Sequence, residues 1–223
     1  MKKLFKILGI VIASVAILLT TGIIVLYNIG LSGMNKYKEA KDNQIKVACV
    51  GDSITYGHGI SNWSKNNYPV KLQELLGDNY CVNNYGVSGF CVQDDADILV
   101  FMLGSNDAKP YNWKGIDAFE EDYENLLNSY LENNTDLEVY LCTPATAFDD
   151  DVETSESSFD IQPSIVEEIA EFVREYAQEK GYKLIDINNL TEGRSDLISS
   201  DLIHPNKEGA LEIAKEVAKN IKK

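Results

Sequence analysis

The chain has 223 residues, 25% of them charged and 44% hydrophobic, with a formal net charge of −15. That composition belongs to a globular chain with a core and excludes an intrinsically disordered one. Residues 1–27 hold three lysines and no acid, so residues 28–223 carry 17 basic against 35 acidic residues, a formal −18; such a field repels phosphate backbones and argues against nucleic acid as a partner.

Lys2, Lys3 and Lys6 precede residues 7–27, 21 residues without a charge. That stretch is long enough to cross a hydrocarbon core, too long for the apolar region of a cleaved signal peptide, and no small-x-small site follows it. Residues 1–28 are therefore expected to form a transmembrane signal-anchor. The leading lysines favour an inside N-terminus. The rest of a single-pass protein would then lie outside the cytoplasm, at the cell membrane. Residues 29–44 are polar, contain Gly30 and Gly33, and read as a linker.

From Ile45 to the C-terminus, short β-rich runs alternate with helical patterns, as in an α/β domain around a parallel sheet. The expected strands are 45–50, 80–85, 97–103, 137–143 and 183–187. The run ILVFML shows no polar alternation, as expected of a strand covered on both faces. One helix starts at Tyr68-Pro69 and stops at Gly77. A second places Phe119, Tyr123, Leu126/Leu127 and Tyr130 on one face. A third carries Ile161, Ile165, Ile169, Phe172 and Tyr176, with Pro163 near its start and Gly181 after its end. The last follows Asn206 as N-cap and aligns Ala210, Ala214, Val217 and Ile221.

Of the four cysteines, Cys49, Cys81 and Cys142 sit in apolar runs and read as small buried hydrophobes. No C-x-x-C pair points to zinc or thiol redox chemistry. An extracellular domain would permit a Cys81–Cys91 disulfide, which spacing alone does not establish. The acidic segment 148–160 lacks the ligand spacing of a calcium loop and reads as a solvated loop.

Ligands of open parallel sheets bind beyond the carboxyl ends of the strands. GDSITYGHG follows the first strand, GVSG the second and GSND the third, while SSDLIHPN precedes the last helix. In the first, Ser53 is a candidate nucleophile that needs a base. Taken alone, it is equally a serine in a turn. Asp201 precedes His204 by three residues, a spacing that lets a carboxylate orient an imidazole. His58, between two glycines and without such a partner, reads as a loop residue, so His204 is the favoured base. Candidate donors to an oxyanion are the backbone N–H of Ser53, the backbone N–H of Gly89 and the side-chain amide of Asn106.

Together GDSIT, NYGVSG, GSND and DLIHP resemble the four blocks of the SGNH, or GDSL, hydrolases, in the family's order. The resemblance runs from about Ile45 to the C-terminus. It implies a three-layer α/β/α flavodoxin-like domain over 45–223, with a parallel five-stranded sheet of order 2-1-3-4-5. It also implies serine esterase chemistry without metal or organic cofactor. Ser53 would attack, Asp201 and His204 would move the proton, and Ser53, Gly89 and Asn106 would hold the oxyanion. One departure stands out. Only residues 90–96 separate Gly89 from the third strand, an unusually short crossover that is expected to leave apolar sheet surface uncovered.

The run KPYNW after the third block resembles a bacterial subgroup of these esterases, some acting on acetylated sugars. Tyr111 or Trp113 could stack on a sugar ring, or pack beneath the loop. The expected substrate is a short acyl ester, acetyl most simply, on extracellular carbohydrate. A lysophospholipase or thioesterase is the alternative within the family. An inactive carbohydrate-binding or interaction domain is the alternative outside it.

Overall fold

Five parallel strands form one sheet in the order β2-β1-β3-β4-β5, the arrangement expected from the sequence. The computed structural model describes residues 38–86, 96–132, 134–148 and 159–222. The expected anchor, the start of the linker, Gly89, Cys91 and most of the acidic segment lie outside the described residues. So does all of the short crossover except Ala96. Among the described residues no helix is long and apolar enough to cross a membrane.

The strands are β1 (Ile45–Gly51), β2 (Tyr80–Tyr85), β3 (Ile98–Met102), β4 (Glu138–Cys142) and β5 (Lys183–Ile185). Successive residues of a strand face opposite sides, and the core divides accordingly. On one face Val47, Cys49, Val82, Val100 and Cys142 pack with Leu72 and Leu76 of helix α3 (Tyr68–Leu76) and with Ile213 and Val217 of helix α7 (Lys207–Ile221). On the other, Ala48, Val50, Leu99, Phe101 and Leu141 pack with Phe119, Tyr123 and Leu127 of helix α4 (Ile116–Leu131) and with Ile169 and Val173 of helix α5 (Pro163–Lys180). Three layers result. Each large side chain buried this way contributes about 1.5–3 kcal/mol.

Local chemistry sets the helix ends. The Asn67 side chain accepts from the Val70 amide at the start of α3, and Asn206 accepts from the amides of Glu208 and Gly209 at the start of α7. Gly181 closes α5 with φ +75, a left-handed position that suits glycine. Leu126 is 40% exposed, so Leu127 alone of that pair faces the core.

Two sequence expectations are corrected, and one point the sequence left open is answered at Cys81. Strand β5 stops at Ile185 and not at residue 187, because Asp186 caps a short helix α6 (Ile187–Thr191) by accepting from the Asn189 amide. The apolar sheet face beside β1 and β2 is not open: Ala48, Val50 and Cys81 are all buried. Cys81 is a free thiol, not half of a disulfide, and its Sγ lies 3.6 Å from the Lys38 carbonyl. The Lys38 backbone also exchanges two hydrogen bonds with the Asn83 side chain, at 2.9 and 3.0 Å. The end of the expected linker therefore lies along β2.

Candidate active site

Gly51 ends β1 and pairs with Met102 at the end of β3. The segments after these two strands therefore leave the sheet side by side. A Cβ on Gly51 would stand 2.6 Å from the Met102 carbonyl oxygen and 2.0 Å from Thr55 Oγ1, so only glycine allows this turn. Asp52 then caps the single turn α1 (Ser53–Tyr56), its Oδ1 accepting from the Ile54 amide at 2.8 Å. Gly57 closes the turn with φ +96, and the Ser53 carbonyl accepts from the amides of Gly57 and His58. Ser53 thus stands on a short turn fixed at both ends. A further short helix, α2 (Trp63–Asn66), links this turn to α3.

The NYG segment supports that turn from below. Asn84 Nδ2 donates to the Thr55 carbonyl at 2.8 Å, while Asn84 Oδ1 accepts from the Gly86 amide. Gly86 runs so close that a Cβ there would lie 2.1 Å from the Tyr56 nitrogen. Neither role is evident in the sequence, although both residues sit inside a quoted block. Gly89 lies outside the described residues.

Asn106 follows β3 in a turn that begins at Gly104, φ +125, where a Cβ would meet Ile169 Cγ2 at 2.6 Å. The Asn106 carbonyl accepts from Asn112 Nδ2 at 2.7 Å, which ties the next loop to this turn. Within that loop Trp113 is half-buried and packs on Phe119, ring centroids 6.4 Å apart. Tyr111 is 70% exposed.

The DLIHP segment is a tight loop held on several sides. Ile198 and Pro205 form an isolated bridge, the Ser199 amide donates to the His204 carbonyl at 2.7 Å, and Leu202 takes φ +65. That left-handed value is uncommon for leucine. It lets the Asp201 Oδ1 accept from the amides of Ile203 and His204 at 3.1 and 2.9 Å. Asp201 Oδ2 lies 2.8 Å from His204 Nδ1, and His204 Nε2 lies 2.9 Å from Ser53 Oγ. With Nδ1–H donating to the carboxylate, Nε2 is left as the acceptor for the serine proton.

The electrostatics suit that chain of groups. Burial raises the Asp201 carboxyl, but the amides of His204 and Ile203 and the imidazole outweigh it and hold the group below its usual range. The carboxylate therefore stays ionised beside the buried His204. Asp52 behaves oppositely. Burial pushes its carboxyl up, against the Ile54 amide, the nearby His204 and a hydrogen bond with the Ser105 side chain. Burial likewise raises Asp107. Burial pushes the Cys49 thiol up to about 12, and Cys142 up as well, so neither is a thiolate nucleophile near neutrality.

The structure thus joins Ser53, Asp201 and His204 in one hydrogen-bonded line and places Asn106 after β3, the strand that pairs with β1 ahead of Ser53. It also adds what the sequence did not reveal. The exposed His58 ring lies 4.6 Å from the His204 ring, and Phe159 abuts both. Nothing in the chemistry of a lone phenylalanine ahead of a helix signals that contact.

Residues 49–211 match the sequence model of the GDSL-like lipase/acylhydrolase family. An acetylxylan esterase from Xylanibacter ruminicola is 31% identical over 218 aligned positions, covering 82% of this chain and 44% of the relative. The chain therefore spans less than half the length of that curated relative. A carbohydrate acetylesterase family member from Sinorhizobium meliloti has a similar fold, with a TM-score of 0.63 at 19% identity over 79% of this chain and 96% of that one. A lipase/acylhydrolase from Enterococcus faecalis gives 0.62 at 18% identity, over 79% and 94%. At such identities the two solved structures speak to the fold alone.

Proposed function

The chain belongs to the GDSL-like lipase/acylhydrolase family, the carboxylic ester hydrolases among them, and from that premise we propose that it is a serine esterase removing short acyl groups, acetyl foremost, from carbohydrate. The observation that carries this reading is the line Asp201–His204–Ser53, with contacts of 2.8 and 2.9 Å. His204 Nε2 takes the proton from Ser53 Oγ as the oxygen attacks the ester carbonyl. The ionised Asp201 fixes the imidazole and stabilises the imidazolium that forms. The tetrahedral oxyanion is held by the Ser53 amide, the Asn106 side chain and the Gly89 amide. The imidazolium then protonates the departing alcohol, and water releases the acyl group by the same path in reverse order of partners. No step requires a metal or organic cofactor.

The similarity to an acetylxylan esterase supports the acetyl and carbohydrate parts of this reading. The uncharged residues 7–27 support a membrane anchor, with the domain outside the cytoplasm. Retention of the full chain in carbonate-washed membranes, with release by detergent, tests the anchor. Release by carbonate alone refutes it.

The activity is tested with the purified full chain in detergent, comparing acetylated xylan, a lysophospholipid and a short acyl thioester. Preferential release of acetate from xylan is expected. Preference for the lysophospholipid or thioester replaces the substrate assignment with that class. No turnover of any short-chain ester turns the reading toward a binding domain.

A further inference from the structure

The His204 imidazole packs against two rings that the mechanism above does not use. The His58 ring lies 4.6 Å from it, tilted by 50°. Phe159 stands edge-on to His204 at 5.4 Å and edge-on to His58 at 5.9 Å. The three rings form one corner with graded exposure. His204 is 4% exposed and Phe159 50%, and His58 is exposed beside it. Single exposed apolar residues are ordinary on protein surfaces. This one is set directly against the buried imidazole.

The corner is held by the same segments that hold Ser53 and His204. The His58 amide donates to the Ser53 carbonyl at 2.9 Å. The next residue, Gly59, runs against the other loop, where a Cβ would stand 3.7 Å from Asp201 Oδ2 and 3.9 Å from His204 Cβ. Phe159 and Asp160 take φ +46 and +57 just ahead of α5, an uncommon backbone for a bulky residue. That kind of strain gathers where a side chain must be aimed.

The reaction says what such a corner can touch. When the tetrahedral intermediate collapses, the carbonyl re-forms and the bond between the acyl carbon and the alcohol oxygen breaks. The acyl group stays on Ser53 Oγ, and the departing oxygen takes the proton from His204 Nε2. That oxygen must come within hydrogen-bond distance of Nε2. Whatever is attached to it then lies beside the His204 ring, where His58 and Phe159 stand.

We propose that His58 and Phe159 form the subsite for the alcohol part of the ester, with the Phe159 ring stacking on a sugar ring whose hydroxyls meet the His58 imidazole. The assignment rests on the reading of Ser53 as nucleophile and His204 as proton carrier. A pyranose presents an apolar C–H face and a polar rim, which match an aromatic face beside an imidazole that can donate or accept. A long alkyl alcohol would instead need an enclosing apolar channel, and this corner opens to solvent.

The test measures kcat/KM of the full chain for an acetylated xyloside and for ethyl acetate, whose alcohol carries no ring. The readout is their ratio, which a general loss of folding or catalysis leaves unmoved. Phe159→Ala is expected to lower the ratio by about three- to tenfold, the scale of a ring contact, mainly through KM for the xyloside. Phe159→Trp should restore it, and His58→Ala should lower it in the same direction. An unchanged ratio in Phe159→Ala and His58→Ala overturns the subsite, even where both rates fall together. Ser53→Ala separates the two layers. Wild-type turnover in that variant sinks the underlying mechanism, whereas an inactive Ser53→Ala with unchanged ratios sinks the subsite alone.

Discussion

Ser53 Oγ and His204 Nε2 meet at 2.9 Å although 151 residues separate them in sequence. The contact joins the turn after the first strand to the loop before the last helix. Each side chain is set by its own local device, the Asp52-capped turn for Ser53 and the Asp201-bound loop for His204. Replacing either partner breaks proton transfer without opening the core. Ser53→Ala and His204→Ala are each expected to cost about three orders of magnitude or more in kcat. His58→Ala should cost far less on a ringless ester, because among the described residues no carboxylate bonds to His58 to orient it as a base. Steady-state kinetics on ethyl acetate decide this. Equal losses in the two histidine variants would sink the assignment of His204 as the base.

Asp201 offers a finer probe, since one oxygen builds the loop and the other faces the imidazole. In Asp201→Asn the side-chain carbonyl can still accept from the amides of Ile203 and His204, so the fold should survive. The new amide nitrogen would face His204 Nδ1 and impose the tautomer that leaves no acceptor toward Ser53. A loss of about three to four orders of magnitude in kcat is expected, with only a small fall in the thermal midpoint at neutral pH, because the ionised carboxylate's contribution is lost. A variant that unfolds early would instead give Asp201 a mainly structural role.

Much of this arrangement was legible because it rests on local signals. Buried strands read as continuous apolar runs, Asn67, Asn206, Gly77 and Gly181 marked helix ends, and the three-residue step from Asp201 to His204 is itself the contact distance of a tight loop. The end of β5 was missed because Asp186 reads as one more residue of a β-rich run until its side chain is seen to cap α6. His58 was set aside because its partners are aromatic and come from distant segments, and periodicity carries no signal of that kind. The closure of the sheet face was missed because burial of Ala48, Val50 and Cys81 is a tertiary property. The short crossover in sequence did not determine it.

Gly86 ties the second strand to the nucleophile turn and gives a stability prediction. A methyl group there would meet the Tyr56 nitrogen at 2.1 Å and the Thr55 carbonyl carbon at 2.6 Å. Both contacts are backbone, so neither can swing aside. Gly86→Ala is expected to destabilise the domain by about 1–3 kcal/mol, and to lower kcat by displacing α1. Chemical denaturation together with kinetics checks both parts. An unchanged midpoint would mean that the close approach relaxes at no cost.

Asp52 carries the last prediction, on pH. Burial raises its carboxyl above the ordinary value of 3.8, so the folded state binds this proton more tightly than the unfolded state does. The stability gained from that proton is full below the unfolded value and is lost as pH rises through the raised folded value. At pH above that raised value the ionised, half-buried Asp52 therefore weakens the fold. Asn replaces it with a neutral group of the same shape that caps a helix equally well. Asp52→Asn should raise the thermal midpoint at pH 7–8, by an amount that shrinks as the pH falls through the raised folded value toward 3.8 and is gone below it. Activity should decline moderately at the same time, because the variant removes a negative charge that favours the His204 imidazolium. A midpoint difference that stays constant across the pH range would remove protonation of Asp52 as its cause.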